Sequence, residues 1–252
     1  YLTLALPIIH KIFMIRIILS ILLITTLYSQ SECDGVRYTD EIFSQVNVTS
    51  NVLYGGNYNP NIWGQNEWQD LYMNIYEPVD DDVENRPLVF FLFGGSFVAG
   101  SKTNGDIVEL CTRYAKMGYV AAAIDYRLTG DLIWFPNPET AYRATAKGMH
   151  DLKGAIRFFR MNDQTANDYR IDSDRIYAGG VSAGGIVAVN AAYLDQDSEI
   201  PASIVDYVAD NGGLEGLSGN EGYDSHFHGV INLCGAVGDY NWIVAGDIPV
   251  VS

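Results

Sequence analysis

Residues 174–185 read DRIYAGGVSAGG, and this stretch decides how the chain is expected to fold. A short apolar run leads into glycines around a single serine, and a run rich in Ala and Val follows over residues 183–194. Gly180, Ser182 and Gly184 form a G-x-S-x-G pattern where a predicted strand meets a predicted helix. Such a turn exposes a serine hydroxyl at a helix N-terminus, where the helix dipole favours developing negative charge. The pattern therefore predicts Ser182 as a nucleophile, and a glycine-rich turn with an N-capping serine is the alternative.

The segments around this turn alternate between strand and helix character. Continuous apolar runs at 88–93 (LVFFLF) and 119–125 (YVAAAID) are typical of strands buried on both faces of a parallel sheet. Further strands are predicted at 71–76, 175–178, 229–234 and, as an opening only, 248–252; helices are predicted from 107 to a stop at Gly118, over 141–159 and over 183–194. This order predicts an α/β fold with a mostly parallel central sheet and helices on both faces.

A second glycine pair follows the buried run 88–93. Phe93 is followed by Gly94, Gly95 and Ser96, which predicts a flexible loop whose main-chain N–H groups can point at a developing oxyanion. Acyl transfer needs such donors beside the nucleophile. The expected donors are the N–H groups of Gly95, Ser96 and Ala183, and a tight turn without catalytic role is the alternative.

The charge balance excludes one class of partner. With 15 Lys and Arg against 31 Asp and Glu, the formal net charge is −16, so the chain would repel a phosphate backbone. We therefore expect no nucleic-acid partner. The 48% of hydrophobic residues among 252 is enough to build one buried core, and no internal repeat or linker divides the chain.

The N-terminal segment has the pattern of an export signal. A charged start at Met14 precedes an apolar run, 17–27, that is too short to span a bilayer, and a small residue precedes a cleavage point after Ser29. We interpret residues 1–13 as upstream translation, 14–29 as a signal peptide and 30–252 as the domain. A secreted or periplasmic/extracellular protein without a stable membrane partner is expected, and an uncleaved membrane anchor is the alternative.

Export would permit disulfide bonds among the three cysteines. Because the number is odd, one of Cys33, Cys111 and Cys234 must stay unpaired. Cys234 ends a predicted strand and is predicted to be a small buried hydrophobic residue. A bond between Cys33 and Cys111 would tie down the N-terminal arm, and the sequence alone leaves this pairing open.

Taken together, these motifs resemble the carboxylesterase/lipase branch of the α/β-hydrolase superfamily. The resemblance covers residues 38–252 and is carried by LYMNIYEP (71–78), RPLVFFLFGGSFVAGS (86–101), GYVAAAIDYRL (118–128), RIDSDRIYAGGVSAGG (170–185) and GVINLCGAVGD (229–239). It is greatest to secreted bacterial esterases of the acetyl-xylan and feruloyl type. The resemblance implies a serine ester hydrolase that forms an acyl-enzyme on short acyl or polysaccharide-linked esters, with no metal or organic cofactor. A peptidase of the same fold and a non-catalytic binding protein are the alternatives.

The resemblance also assigns roles at matching positions. Ser182 would be the nucleophile, and Gly94, Gly95 and Ser96 stand where the family has a His-Gly-Gly-Gly loop. Phe93 replaces the usual His and Ser96 replaces the last Gly. Main-chain donors survive both changes, so the loop is still expected to serve an oxyanion.

The tripeptide Asp125-Tyr126-Arg127 matches a further family signature at a strand end. We interpret Asp125 and Arg127 as a structural ion pair. Catalytic use of these charged groups is the alternative.

The base that would activate Ser182 is missing from this predicted site. In the family, the catalytic residues follow the chain order Ser, then an acid, then His. The acid, the base and the last strand and helix are therefore expected beyond Ser252. This truncated chain is expected to be inactive. Asp239 stands where some hydrolases place the acid. No histidine present is a convincing base: His10 precedes the expected start, His150 is predicted on a solvated helix face, and His226 and His228 are predicted at the N-terminal side of a strand.

Two features bear on the substrate. The glycine-rich segment 211–223 (NGGLEGLSGNEGY) could cap an acyl pocket. Trp63, Trp68 and Trp134 could stack on the sugars of a polysaccharide, and ordinary core packing is the alternative for each of them.

Overall fold

The computed structural model describes residues 35–60 and 64–252. Seven strands in these residues form one sheet, ordered β1-β2-β4-β3-β5-β6-β7. The strands are β1 Val46–Pro60, β2 Asn66–Pro78, β3 Arg86–Leu92, β4 Val120–Ile124, β5 Ile171–Val181, β6 Val230–Leu233 and β7 Val250–Val251. The five strands from β4 to β7 across the sheet are parallel, and β1 and β2 add an antiparallel hairpin. The predicted α/β class with a mostly parallel sheet is confirmed.

The helices are α1 Gly105–Lys116, α2 Asp131–Trp134, α3 Pro138–Gln164, α4 Ala183–Tyr193 and α5 Val205–Asp210, with short 3-10 turns at Asp197–Glu199 and Tyr240–Trp242. Of the described residues, no helix is both long and apolar enough to cross a bilayer. Several expectations lie outside the described residues: the segment 1–13, the signal peptide 14–29, His10, Cys33 and Trp63.

Helices cover both faces of the sheet, as expected. Neighbouring side chains on a strand point to opposite faces. Phe90 in β3 packs edge-on against Phe159 of α3, and Phe91 packs edge-on against Tyr114 of α1. These two helices therefore lie on opposite faces, and β3 is buried between them along its whole length.

The long helix α3 begins three residues before the predicted apolar face because its first turn is capped by side chains. Asn137 accepts a hydrogen bond from the Thr140 N–H (3.1 Å), Thr140 Oγ1 accepts one from the Asn137 N–H (3.1 Å), and Pro138 starts the helix. This reciprocal cap satisfies main-chain donors that would otherwise lack partners. It fixes where α3 starts, close to the carboxyl ends of the parallel strands.

The predicted ion pair between Asp125 and Arg127 is wrong. Asp125 accepts hydrogen bonds from the N–H (2.8 Å) and the ammonium (2.5 Å) of Lys102. Arg127 instead pairs with Asp151 of α3 at 2.9 Å. The long arginine side chain reaches a carboxylate carried by the helix, while the loop after β3 supplies the cation for Asp125.

The pair Arg127–Asp151 is buried on both sides, with side-chain exposures of 1% and 0%. Asp151 also accepts from the Arg127 N–H (2.7 Å) and from Ser218 Oγ (2.6 Å). A buried charge is tolerated only when it is paired and hydrogen-bonded. This pair therefore attaches the loop that follows β4 and the segment around Ser218 to the middle of α3.

The two described cysteines differ from each other. Cys111 of α1 is fully buried and forms no disulfide with the other described cysteine, and burial raises the pKa of its thiol. Cys234 was predicted to be buried, and that prediction is wrong. Because β6 ends at Leu233, the chain turns at Cys234, which has a φ of 63° and is exposed. The pairing of Cys33 with Cys111 stays a prediction.

We expect Asp151→Ala to lower the free energy of unfolding by about 3–5 kcal/mol, because it leaves the Arg127 guanidinium buried without its carboxylate. Urea denaturation monitored by circular dichroism measures this loss. Glu139→Ala is the matched control, since it breaks an exposed pair with Arg143 (2.6 Å) and is expected to cost less than about 1 kcal/mol. Equal, small losses in the two variants would contradict the anchoring role of Asp151.

Candidate active site

Ser182 lies in the sharp turn that joins β5 to α4. Its backbone has φ 51° and ψ −113°, a region that residues other than glycine rarely adopt, and the residue is exposed. The turn is possible only because two neighbours lack side chains. A Cβ on Gly180 would lie 2.4 Å from the Gly184 carbonyl carbon, and one on Gly184 would lie 2.2 Å from the Leu92 oxygen. The strand, turn and helix setting predicted for Ser182 is thus present.

The loop after β3 lies directly against this turn. Register pairs Leu92 of β3 with Gly180 of β5, so the carboxyl ends of the two parallel strands are neighbours. A Cβ on Gly94 would lie 3.3 Å from the Ser182 Cβ and 3.0 Å from the Val181 oxygen. The two motifs that the sequence places some 90 residues apart are therefore in contact around one serine.

The loop is held in a tight turn with its amides free. The N–H groups of Val98 and Ala99 both donate to the Gly95 oxygen, and Gly95 and Ser96 have positive φ values of 132° and 53°. In the part of the chain that the structure describes, the N–H groups of Gly95, Ser96 and Ala183 donate to no protein acceptor. Free amides beside an exposed hydroxyl suit a developing oxyanion, and their use in this role stays a prediction.

Phe93 supports the base of this loop where the resembling family has a histidine. Its ring is 1% exposed and stacks on Tyr126 at 4.3 Å between centroids. The Tyr126 hydroxyl donates to the Phe93 oxygen at 2.9 Å, and burial raises the pKa of this phenol. An aromatic stack therefore fixes the point where β3 ends and the loop begins.

A mostly apolar cavity of about 300 Å³ opens beside the turn. Its lining includes Phe97 from the loop after β3, Tyr142 and Thr145 of α3, and Ile186 of α4. Ile186 is one helical turn beyond Ser182, and its N–H donates to the Ser182 oxygen at 2.9 Å. The cavity is thus placed to receive an apolar group attached to a carbonyl at Ser182.

Asn190 holds the opposite wall of this cavity. The residue is 2% exposed, and its amide donates to the oxygens of Ile186 (2.7 Å) and Ala236 (2.9 Å) and accepts from the Gly238 N–H (2.9 Å). Asn190 therefore attaches the loop after β6 to α4. Asn190 was not predicted as a site residue, because a polar residue inside an apolar helix was the only local signal.

Asp239 follows this wall and was considered as a catalytic acid. Its carboxylate accepts from the Asn241 N–H (2.9 Å) and side-chain amide (2.8 Å), and so caps the short turn Tyr240–Trp242. None of the histidines in the described residues hydrogen-bonds to it. A catalytic role for Asp239 stays a hypothesis.

None of the described histidines reaches Ser182. His228 lies at the amino end of β6, where its main-chain N–H donates to the Ile176 oxygen at 2.7 Å. The centroids of the His226 and His228 rings are 5.0 Å apart. Ile176 precedes Ser182 by six residues of β5, a distance of about 20 Å along an extended strand. Both histidines therefore lie near the amino ends of the parallel strands, the end of the sheet away from Ser182, as expected.

The prediction that His150 is solvated is wrong. Its side chain lies under the segment 211–223 and the residue is 1% exposed, with Nε2 hydrogen-bonded to the Gly213 oxygen at 2.8 Å. Burial, together with the positive charge of Arg127, lowers the pKa of His150 to about 4. The imidazole is therefore neutral near pH 7, with Nε2 carrying the proton it donates and buried Nδ1 left without a partner among the described residues.

The segment 211–223 was expected to cap an acyl pocket, and its contacts place it elsewhere. Gly216 is close-packed on the His150 ring, and the oxygens of Leu214 and Gly219 accept from Lys153 (2.9 Å) and Arg157 (2.9 Å). The segment lies against the middle of α3 rather than over Ser182. Gly216 permits this close packing, because a Cβ on it would lie 2.2 Å from the imidazole.

The two described tryptophans of interest are not core residues. Trp68 is 57% exposed and Trp134 is 75% exposed. Trp68 packs edge-on against Tyr58, also exposed, at 5.3 Å between ring centroids. The alternative of ordinary core packing is wrong for both, while stacking on sugars stays a prediction.

The sequence is similar to those of known esterases. The BD-FAE family model matches residues 73–215. Pyrethroid hydrolase Ces2a of Mus musculus is 34% identical over 116 residues, which are 46% of this chain and 19% of that protein. Gut esterase 1 of Caenorhabditis elegans is 28% identical over 114 residues, which are 45% of this chain and 19% of that protein. This chain thus spans about a fifth of the length of those relatives.

A solved structure shows the same fold. Thermogutta terrifontis esterase 2, phosphorylated by paraoxon, superimposes with a TM-score of 0.54 at 24% sequence identity. The match covers 85% of this chain and 71% of that one. At this identity the likeness concerns the fold alone.

We expect Gly184→Ala to destabilise the chain strongly, by several kcal/mol, because the new methyl group would overlap the Leu92 oxygen and push α4 away from β3. Thermal denaturation measures the effect. Gly105→Ala is the matched control, because its Cβ meets nothing within 4 Å and the residue starts a helix. A Gly184→Ala protein as stable as the Gly105→Ala protein would contradict the close approach of α4 to β3.

The buried imidazole makes stability depend on pH in a defined direction. Because the pKa of His150 is lower in the folded state (about 4) than its ordinary value of 6.5, the unfolded state binds the proton more tightly. The contribution of His150 to stability is therefore complete above pH 6.5 and decreases as the pH falls towards 4, by roughly 3 kcal/mol. Urea denaturation at pH 7 and pH 4 should show this loss in wild type and a smaller one in His150→Gln. Parallel losses in the two proteins would contradict a neutral, buried His150.

Proposed function

Because the chain belongs to the BD-FAE family and to the α/β-hydrolase carboxylesterases, we propose that its Ser182 hydrolyses carboxylic esters through an acyl-enzyme. One observation carries the proposal. The exposed Ser182 sits in a turn of positive φ, and the Gly94 to Ser96 loop lies against it with free main-chain amides. A hydroxyl and oxyanion donors on the same edge of a sheet are the two parts that acyl transfer requires.

The proposed chemistry proceeds in two halves. Ser182 Oγ attacks the ester carbonyl carbon, its proton passes to a base, and the carbonyl oxygen becomes an oxyanion that accepts hydrogen bonds from the Gly95, Ser96 and Ala183 amides. The C–O bond to the alcohol then breaks as the alcohol takes a proton. Water attacks the resulting acyl-enzyme in the same way and releases the acid and the free serine.

The base for these proton transfers is the part that the described residues do not supply. Neither His150 nor the pair His226 and His228 contacts Ser182. We propose that the acid and the base follow Ser252 in the family's order, and that residues 1–252 alone turn over esters slowly at most. We also propose that residues 14–29 direct export, so that the mature protein acts outside the cytoplasm.

The shape of the site supports a proposed substrate class. The apolar cavity of about 300 Å³ beside Ile186 suits the acyl group. In the antiparallel pairing of β2 with β4, Met73 lies opposite Ile124, the last residue of β4. The β2 residues that precede Met73, Trp68 included, therefore extend beyond the carboxyl ends of the parallel strands, where Ser182 is exposed. Exposed aromatic rings at that edge support esters of short acyl groups or esters carried on a polysaccharide.

We expect Ser182→Ala in the full gene product to reduce hydrolysis of p-nitrophenyl acetate by about 10⁴-fold or more, because the nucleophile is removed. Ser203→Ala, at an exposed position away from the site, is the matched control and should keep wild-type turnover. Persistent hydrolysis in Ser182→Ala would exclude Ser182 as the nucleophile. A p-nitroanilide substrate turned over as fast as the ester would favour a peptidase, and a folded gene product without ester turnover would favour a binding protein.

A further inference from the structure

A second cavity, of about 580 Å³, opens beside the end of β1, the outermost strand on one side of the sheet, away from Ser182. It is formed by the end of β1, the start of α2, the N-terminal part of α3 and the end of α5, and its lining includes Tyr58, Asp131, Lys147, Tyr207 and Asn211. In the sheet order, four strand spacings separate β1 from β5, which corresponds to about 19 Å. The cavity shares no lining residue with the apolar one beside Ser182.

The cavity contains a buried cation without a counter-ion. Lys147 is only 5% exposed, and its ammonium donates a single hydrogen bond, to Asn59 Oδ1 at 3.1 Å. Among residues 35–60 and 64–252, no carboxylate lies within 4 Å of this ammonium. Burial, with the positive charge of Arg127, lowers the pKa of Lys147 to about 8. A buried ammonium that is still protonated at neutral pH is costly unless an anion joins it.

The other cation at this cavity is already engaged. The Arg143 guanidinium forms an ion pair with Glu139 at 2.6 Å and lies over the Tyr207 ring at 5.3 Å from its centroid. The buried Arg143 Nε has no partner among the described residues, but Glu139 balances the guanidinium charge, so Lys147 is the cation at this cavity without a carboxylate partner. Its remaining N–H donors suit a carboxylate, since hydrogen bonds between charged partners are the stronger kind.

The rest of the lining suits hydroxyl groups. Asp131 and Asp210 are exposed carboxylates that can accept from hydroxyls, and the amides of Asn66 and Asn211 can donate or accept. The rings of Tyr58 and Tyr207 add flat apolar surface. Because Lys147 is buried and the acidic residues are exposed, a ligand would place its anionic end inward and its hydroxyls outward.

We propose that this cavity is a second ligand site that binds a small hydroxylated carboxylate, a sugar acid such as D-glucuronate. The carboxylate pairs with the Lys147 ammonium, and the hydroxyls meet Asp131 and Asn211. The proposal does not rest on the proposed hydrolysis, since no residue of this site belongs to the Ser182 site.

Isothermal titration calorimetry with D-glucuronate and D-glucuronamide tests the proposal, because the two ligands differ only in the charged group. The wild-type chain should bind glucuronate at least about tenfold more tightly than the neutral amide. Lys147→Met should abolish that preference, while Lys116→Met, the same change on α1 outside the cavity, should preserve it. Ser182→Ala should bind glucuronate as wild type does, which separates this site from the catalytic proposal.

Two results would overturn the proposal. One is that wild type binds the two ligands equally or binds neither. The other is that folded Lys147→Met keeps the wild-type affinity for glucuronate. If Lys147→Met does not fold, the comparison of the two ligands on wild type alone decides.

Discussion

The close approach of α4 to the end of β3 is the constraint on which the site depends. A Cβ at Gly184 would come within 2.2 Å of the Leu92 oxygen, so α4 can begin where it does only because residue 184 has no side chain. That start position forces the chain through a sharp turn at Ser182, with a positive φ that exposes the hydroxyl. It also brings the loop at Gly94 within contact of Ser182. One steric requirement thus produces both the exposed hydroxyl and the neighbouring free amides.

A second set of contacts holds the helix layer against the sheet. The buried pair Arg127–Asp151, joined by Ser218, connects the end of β4, the middle of α3 and a segment that lies more than 60 residues further along the chain. Because these charges satisfy one another, the segment 211–223 can cover α3 and bury His150 beneath it. The N-terminal turns of α3 remain free to line both cavities, on two sides of the same helix.

The parts of this structure that sequence could predict are those that depend on local patterns. The buried run that forms β3 and the change from strand to helix at Ser182 are both read over about a dozen residues, and the α/β class follows from their order. The burial of His150 could not be predicted, because the segment that covers it is distant in sequence and its glycines gave no sign of which helix they pack on. The partners of Asp125 and Arg127 were missed for the same reason. Cys234 was assigned wrongly because the strand ends one residue earlier than predicted and the chain turns at Cys234, which leaves this residue exposed.

The central claim is that Ser182 is the nucleophile of an ester hydrolase. The most direct measurement is to treat the full gene product with a fluorophosphonate and locate the adduct by tandem mass spectrometry of its peptides. We expect one phosphonyl group, on Ser182, in the peptide that contains GGVSAGG. Labelling of another serine, or an unmodified Ser182 in protein that hydrolyses esters, would contradict it.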